Sequence, residues 1–254
     1  MNMRPFWRYY GGKWRAAPRY PKPRHATIVE PFAGAAGYSM RYPRLDVILV
    51  ERYAVIAEMW RYLIAVSPAE LRAIPEVDHV DALPSWVPAG ARSLIGFCMN
   101  SAVTSPCKTL SSGCKKQREN GITRVEGWSK TKREIVASQV GEIRHWRVIE
   151  GDYTLAPDIE ATWFVDPPYD NTAGKSYVHC DLDHAGLGVW CRARKGQVIA
   201  CENVGATWLP FRPFASTTSP MTGRVSQEAI WTNTGEPWHY DAGLPQGDLF
   251  DGAA

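Results

Sequence analysis

Ala26-Thr27-Ile28-Val29-Glu30-Pro31-Phe32-Ala33-Gly34-Ala35-Ala36-Gly37 is the stretch that decides the fold. A short β-branched run ends at an acid, a proline closes it, and a turn of small residues follows. The segment predicts a strand over 26–30 and a helix that starts near Gly37. Small residues in such a turn let a ligand come close to the backbone, and the start of the next helix presents unpaired N–H groups. A plain strand-to-helix connection has the same outline, so the turn alone does not separate the two cases. Val47-Ile48-Leu49-Val50-Glu51 favours the ligand. It is the next apolar strand and ends in a second acid, the position from which a carboxylate accepts ribose hydroxyls in dinucleotide-binding sheets. The phosphate fingerprint of those sheets is incomplete here, which points to a nucleoside-bearing ligand other than a dinucleotide.

Working outward, similar short runs recur at 146–150, 162–166 and 197–202. Several are continuously apolar and end in an acid, as strands buried on both faces of a parallel sheet do. Helical spacing lies between some of them, over 54–66 and over 133–145, where Ile135, Val136, Val140 and Ile143 share a face. Strands alternating with helices predict an α/β, doubly wound sheet. A late run, 226–232, reads as an antiparallel strand joining the sheet's edge. Residues 96–132 break the rhythm, being rich in Ser, Thr, Gly and Lys, and are too long for an ordinary loop. The expected organisation is one domain, 1–95 with 133–236, carrying an inserted region at 96–132 and a mobile Gly/Asp/Pro-rich tail at 237–254. There is no internal repeat.

Composition narrows the class. The 254 residues are 45% hydrophobic, enough for a core without a metal or disulfide staple. The formal charge of +3 conceals a segregation. Residues 1–29 carry seven Lys and Arg with no acid, and 107–133 carry eight against two acids, so the remainder is net −10. Two basic segments on an acidic body are the footprint of a polyanion-binding face, although solvated basic loops share that pattern. The candidate phosphate and base contacts are Lys108, Lys115, Lys116, Arg118 and Arg124. No run of about 18 apolar residues is present to span a membrane, and no signal peptide precedes the six cysteines. Reduced thiols in a cytoplasm are expected. Cys107 and Cys114 stand too far apart for the usual zinc pair, with Cys180 and His179 as the only partners in view, so no metal is expected.

Asp166-Pro167-Pro168-Tyr169 follows the apolar run 162–165. Two prolines end a strand and remove two N–H donors, leaving free carbonyls beside one carboxylate and one ring. That set suits a poor amine nucleophile. The lone pair of an adenine N6 is delocalised into the base; accepting its two protons, at the Asp166 carboxylate and the Pro167 carbonyl, lets the nitrogen pyramidalise and attack. Tyr169 can stack on a base taken out of a duplex.

With these residues in view, the chain resembles the N6-adenine-specific DNA methyltransferases, the Dam-like D12 class whose order is cofactor motif, recognition region, catalytic tetrapeptide. The resemblance covers roughly 7–235. Trp7-Arg8-Tyr9-Tyr10-Gly11-Gly12-Lys13 is similar to that family's N-terminal motif, which carries over Tyr9 and Lys13 as cofactor and target-pocket residues. Glu30, Pro31, Phe32 and Gly34 match its cofactor turn, Glu51 its ribose acid, and Asp152 and Tyr153 the pair that holds the cofactor adenine. Asp166, Pro167 and Tyr169 match its catalytic residues, Asp166 also facing the cofactor. The resemblance implies a Rossmann-like fold dependent on S-adenosylmethionine, no metal, double-stranded DNA as partner, and a bacterial or phage-infected cell. Two departures stand out: Ala36 replaces the family's second turn glycine, with Gly37 one step later, and the ribose acid is Glu where Asp is common. Other readings stay open. Asp152 could cap the loop after its strand, Lys13 could contact phosphate, and 171–183 reads as a surface loop or as a lid. The same site would serve cytosine N4 or RNA, and a silent DNA-binding relative or a zinc-stabilised module are the other classes. Finally, 246–250, Gln-Gly-Asp-Leu-Phe, resembles the short peptide with which bacterial replication proteins dock on the sliding clamp; an apolar pair packed on the body is the alternative.

Overall fold

Seven strands form one sheet in the computed structural model, which describes residues 3–120, 127–218 and 225–235. In chain order they are β1 (Thr27–Glu30), β2 (Asp46–Glu51), β3 (Arg147–Glu150), β4 (Ala161–Val165), β5 (Gly196–Asn203), β6 (Arg212–Thr218) and β7 (Val225–Thr232). Their order across the sheet is β3-β2-β1-β4-β5-β7-β6. The first five are mutually parallel, and β7 runs against both of its neighbours. Chain direction across the sheet reverses between β1 and β4, the switch point outside which ligands bind in open α/β sheets.

The alternation of side chains explains why these runs are apolar throughout. Ile28, Val47, Leu49, Phe164, Ile199 and Cys201 enter one core, whereas Val29, Ile48, Val50, Trp163, Val165, Val198 and Ala200 enter the other. A one-residue slip of β4 would exchange Phe164 with Trp163 and spoil both. The first core is closed by helix α1 (Ala54–Ala65), which contributes Ile56, Met59, Trp60 and Leu63 at helical spacing. Helices α2 (Pro68–Ala73), α3 (Ala89–Met99), α4 (Ser112–Glu119) and α5 (Lys130–Gln139) follow before the chain returns to β3. The second core is closed by α6 (His184–Arg192) through Leu187 and Cys191. The expected fold class, doubly wound and Rossmann-like, is the one observed.

Three local expectations are corrected. The helix predicted near Gly37 is a single 3-10 turn, Ser39–Arg41. The N-terminal segment occupies the space beside it: a Cβ on Gly37 would meet Trp14 N at 2.6 Å, and the Arg41 guanidinium donates to Trp14 O at 2.8 Å. The late strand is not the edge but lies between β5 and β6. β6, Arg-Pro-Phe-Ala-Ser-Thr-Thr, has no continuous apolar run to reveal it; its Pro213 sits at a register shift, where an edge strand tolerates a missing donor. The helix expected over 133–145 begins earlier, with Ser129 accepting from Lys132 N as N-cap, and gives way to a 3-10 turn at Val140–Ile143.

The inserted region is anchored rather than free. Position 96 lies inside α3, and the chain leaves that helix at Asn100, whose side chain donates to Thr109 O and accepts from Ser111 N. Leu110 and Trp128 are buried in the first core. Backbone bridges Tyr9–Val103, His79–Thr109 and Val77–Trp128 tie the region to its surroundings. Among the described residues no helix is long and apolar enough to cross a membrane.

Candidate active site

An open cleft lies at the carboxyl ends of β1, β2 and β4, with a volume of about 870 Å3 counting the solvent in its mouth. Tyr9, Lys13, Glu30, Pro31, Phe32, Gly34, Glu51, Asp152, Tyr153 and Asp166, dispersed over more than half the sequence, all line it. The sheet brings them together because Glu30 ends β1, Glu51 ends β2, Asp152 follows β3 and Asp166 follows β4.

The turn after β1 is held by acids. Glu51 accepts Gly34 N at 2.9 Å and Tyr53 N at 2.8 Å, one on each carboxylate oxygen, and each oxygen keeps acceptor capacity for a further donor. Burial raises its carboxyl above the usual range, and those backbone donors oppose the rise. Glu30 is 2% exposed and accepts Ser39 N at 2.7 Å. Burial pushes its carboxyl up to about 8, against the pull of Ser39, so near neutral pH Glu30 serves as a neutral brace of the turn. Gly34 has φ of +44°, and a Cβ there would sit 3.0 Å from the Tyr9 ring. Ala36 also has a left-handed backbone, φ +49°, at the position where the resembled family carries glycine. The turn keeps its shape and bears the alanine strain, on the order of 1 kcal/mol. Trp60 Nε1 anchors it from below by donating to Gly34 O at 2.8 Å.

At the far end Phe32 and Tyr153 stack with centroids 5.5 Å apart. Asp152 accepts Thr154 N at 3.1 Å through Oδ1, so it does cap the turn after β3 while also lining the cleft. A carboxylate with spare acceptor capacity, a tight small-residue turn and paired rings form a donor set that fits an adenosine-bearing cofactor. Among the described residues no group of three His, Cys, Asp or Glu side chains is placed to hold a metal.

At the near end Lys13 is 6% exposed. Its ammonium lies 2.9 Å from Asp166 Oδ1, donates to Gly11 O at 2.9 Å, and stands 4.8 Å from the Tyr169 ring centroid. Burial alone would lower the Lys13 pKa, but the negative groups around it, Asp166 foremost, hold it well above its ordinary value. Burial raises Asp166 to about 6, with Lys13 pulling the other way. Lys13 is therefore an ion-pair partner of the Asp166 carboxylate. Pro168 lines the cleft; Pro167 is buried, and Tyr169 is partly buried against the first core, its hydroxyl without a hydrogen-bond partner among the described residues.

Sequence reasoning left out a wall. The stretch 171–183, read as a surface loop with a lid as the alternative, supplies Tyr177, Val178, His179 and Leu182 to the cleft. An aromatic–aliphatic pair, Tyr177-Val178, inside a polar run was the one available signal. Arg52 and Tyr53, just past β2, also line the cleft. The basic candidates are less gathered. Lys108 is exposed and 3.5 Å from Asp81. Lys115 and Lys116 are exposed on α4, whose Cys114 packs on the first core. The side chain of Arg118, the whole of Arg124 and the segment 246–250 lie outside the described residues.

No family model and no curated protein matches the chain. Among solved structures it is similar to the Escherichia coli protein named "Putative methyltransferase yhhF", at 11% identity over 80% of this chain and 73% of that one, with a TM-score of 0.30. A likeness that loose says nothing of activity, which has to be read from the residues of the cleft.

Proposed function

We propose that the chain is an S-adenosylmethionine-dependent methyltransferase that modifies the N6 amine of an adenine flipped out of duplex DNA. The observation that carries this proposal is that Asp166 and Pro168 of the tetrapeptide line the same cleft as Glu51 and Gly34. Bound S-adenosylmethionine would supply an electrophilic methyl group. Glu51 would take its ribose hydroxyls, with Phe32, Tyr153 and Asp152 around its adenine.

The chain's own residues prepare the acceptor. Lys13 engages Asp166 through Oδ1, and Oδ2 would accept an amine proton. By the resemblance, the Pro167 carbonyl would be the second acceptor. Once the amine has been methylated it must lose a proton; Asp166, with a carboxyl near 6, is the adjacent base able to take it and pass it to solvent. Asp at the head of the tetrapeptide favours adenine over cytosine N4, where Ser is more frequent in the resembled enzymes. Duplex DNA as substrate is supported by the two basic segments, 1–29 and 107–133.

The test is incubation with labelled S-adenosylmethionine and unmethylated duplex DNA, followed by nucleoside analysis. N6-methyladenine should appear with the wild-type protein and fall by at least a hundredfold with Asp166→Ala. Label in N4-methylcytosine or only in RNA would transfer the activity to that acceptor, and N6-methyladenine undiminished in the variant would remove Asp166 from the chemistry.

A further inference from the structure

Tyr177 comes from a stretch with no assigned role, yet it occupies the middle of the cleft. Its ring centroid lies 5.9 Å from that of Tyr9 and 5.6 Å from that of Tyr10, and its hydroxyl donates to Tyr10 O at 3.1 Å. The segment around it is tied at three more points. Asn171 N donates to Tyr169 O at 2.7 Å, His179 packs edge-on to Tyr53 at 6.0 Å, and Asp181 pairs with Arg52 at 3.0 Å. The wall thus spans from the tetrapeptide to the end of β2.

Contacts give the order of groups along the cleft. Glu51 accepts Gly34 N at 2.9 Å, and a Cβ on Gly34 would sit 3.0 Å from the Tyr9 ring. The Tyr9 and Tyr177 rings are 5.9 Å apart, Gly11 abuts the Tyr177 hydroxyl, and Lys13 donates to Gly11 O at 2.9 Å. The sequence from ribose acid to amine acceptor is therefore Glu51, Tyr9, Tyr177, then Lys13 with Asp166. In S-adenosylmethionine the sulfonium stands between the ribose and the methyl to be transferred. A ligand whose ribose is on Glu51 and whose methyl faces Asp166 must carry its cationic sulfur past the two tyrosines. Asp166 is not free to balance that charge, because Lys13 is 2.9 Å away. What remains on the path is the pair of tyrosine rings, whose faces carry negative charge density.

We infer that Tyr177 is a sulfonium-recognising residue, its ring holding the cationic cofactor by a cation–π contact and favouring it over the neutral demethylated product. This inference rests on the proposed use of S-adenosylmethionine.

The test is calorimetric binding of S-adenosylmethionine and of S-adenosylhomocysteine to the full chain, wild type and variants, with no turnover involved. Tyr177→Leu should weaken the sulfonium ligand about tenfold and the neutral thioether about twofold or less, so the preference for the cation collapses. Tyr177→Phe, which keeps the ring and loses the bond to Tyr10 O, should retain the preference. Pentafluorophenylalanine at 177 should lose it, since the ring keeps its size but not its negative face; this variant decides the matter should the leucine variant fail to fold. Equal weakening of both ligands by Tyr177→Leu, or an unchanged preference with the fluorinated ring, overturns the inference and leaves the methyltransferase proposal standing. Failure of the wild-type protein to bind either ligand overturns both.

Discussion

At the scale of single residues the site turns on how Lys13 and Asp166 share one buried position. Asp166 is one-fifth exposed and Lys13 far less, so each depends on the other for compensation of its charge. Burial is the larger influence on Asp166 and leaves its carboxyl near 6. The sign follows directly: a raised pKa keeps the proton on as pH falls, and a protonated Asp166 cannot accept from an amine. The rate at saturating substrates should therefore be flat above about pH 7 and fall tenfold per pH unit below about 6. Lys13→Met removes the cation that favours the ionised form, so the acid limb should move up by about one to three pH units. Single-turnover rates of both proteins over pH 5–9 would check this. An acid limb that stays in place in the variant would mean that another group sets the profile. Gly34 and Ala36 illustrate a different residue-level point. Both have left-handed backbone, which costs the alanine strain that the glycine avoids.

At the scale of elements, the tetrapeptide is held from behind by β5 and α6. Glu202, 1% exposed at the end of β5, accepts Asp170 N at 3.1 Å, Asn203 N at 2.8 Å and Trp208 Nε1 at 3.0 Å. His184, in the first turn of α6, has Nε2 3.0 Å from Pro168 O. Glu202→Ala would leave three partly buried donors without their acceptor and should cost about 1–3 kcal/mol of stability. Glu202→Gln keeps an acceptor and the shape, so it should cost less while loosening the loop. Its kcat should fall several-fold with cofactor affinity unchanged, a split that thermal denaturation and ligand titration would reveal together; equal loss of affinity would place the defect elsewhere. Little of this brace was legible in the sequence. β1, β2, β4 and β5 announce themselves because both faces are buried and every residue must be apolar. The acids at the ends of β1, β2 and β4 are equally visible, and all three line the cleft. β6 and the wall carrying Tyr177 are hidden for the opposite reason. One is an edge strand with a proline, the other a polar run whose few apolar residues face a cleft that exists only once the sheet has formed. The missing helix after Gly37 is a third case: local pattern favoured a helix, but the N-terminal segment packs into its place.

At the scale of the whole molecule, charge rather than shape joins the cleft to its proposed polymer. The chain is nearly balanced overall, at +3, yet its basic residues gather at 1–29 and 107–133. The chain just before the second segment is tied to the first: Ala102 N donates to Arg8 O at 3.1 Å and Tyr10 N to Val103 O at 3.3 Å, beside the residues that line the cleft. α4, within the second segment, leaves Lys115 and Lys116 exposed and contributes Cys114 to the core, so its lysines face solvent and are free to meet phosphate. Lysines that neutralise phosphates release condensed counterions, and the slope of log K against log salt falls by about 0.9 for each one lost. Lys115→Ala with Lys116→Ala should therefore reduce the magnitude of that slope by about 1.8 if both contact the backbone. The weakening should be similar for all duplex sequences, since phosphate contacts position without specifying. Fluorescence anisotropy on a labelled duplex between 50 and 200 mM salt, about the range over which such contacts are screened, would measure it. Because neither lysine lines the cleft, binding of the cofactor alone should be untouched. An unchanged slope would take α4 off the DNA-facing surface and leave the N-terminal arginines as the anchor.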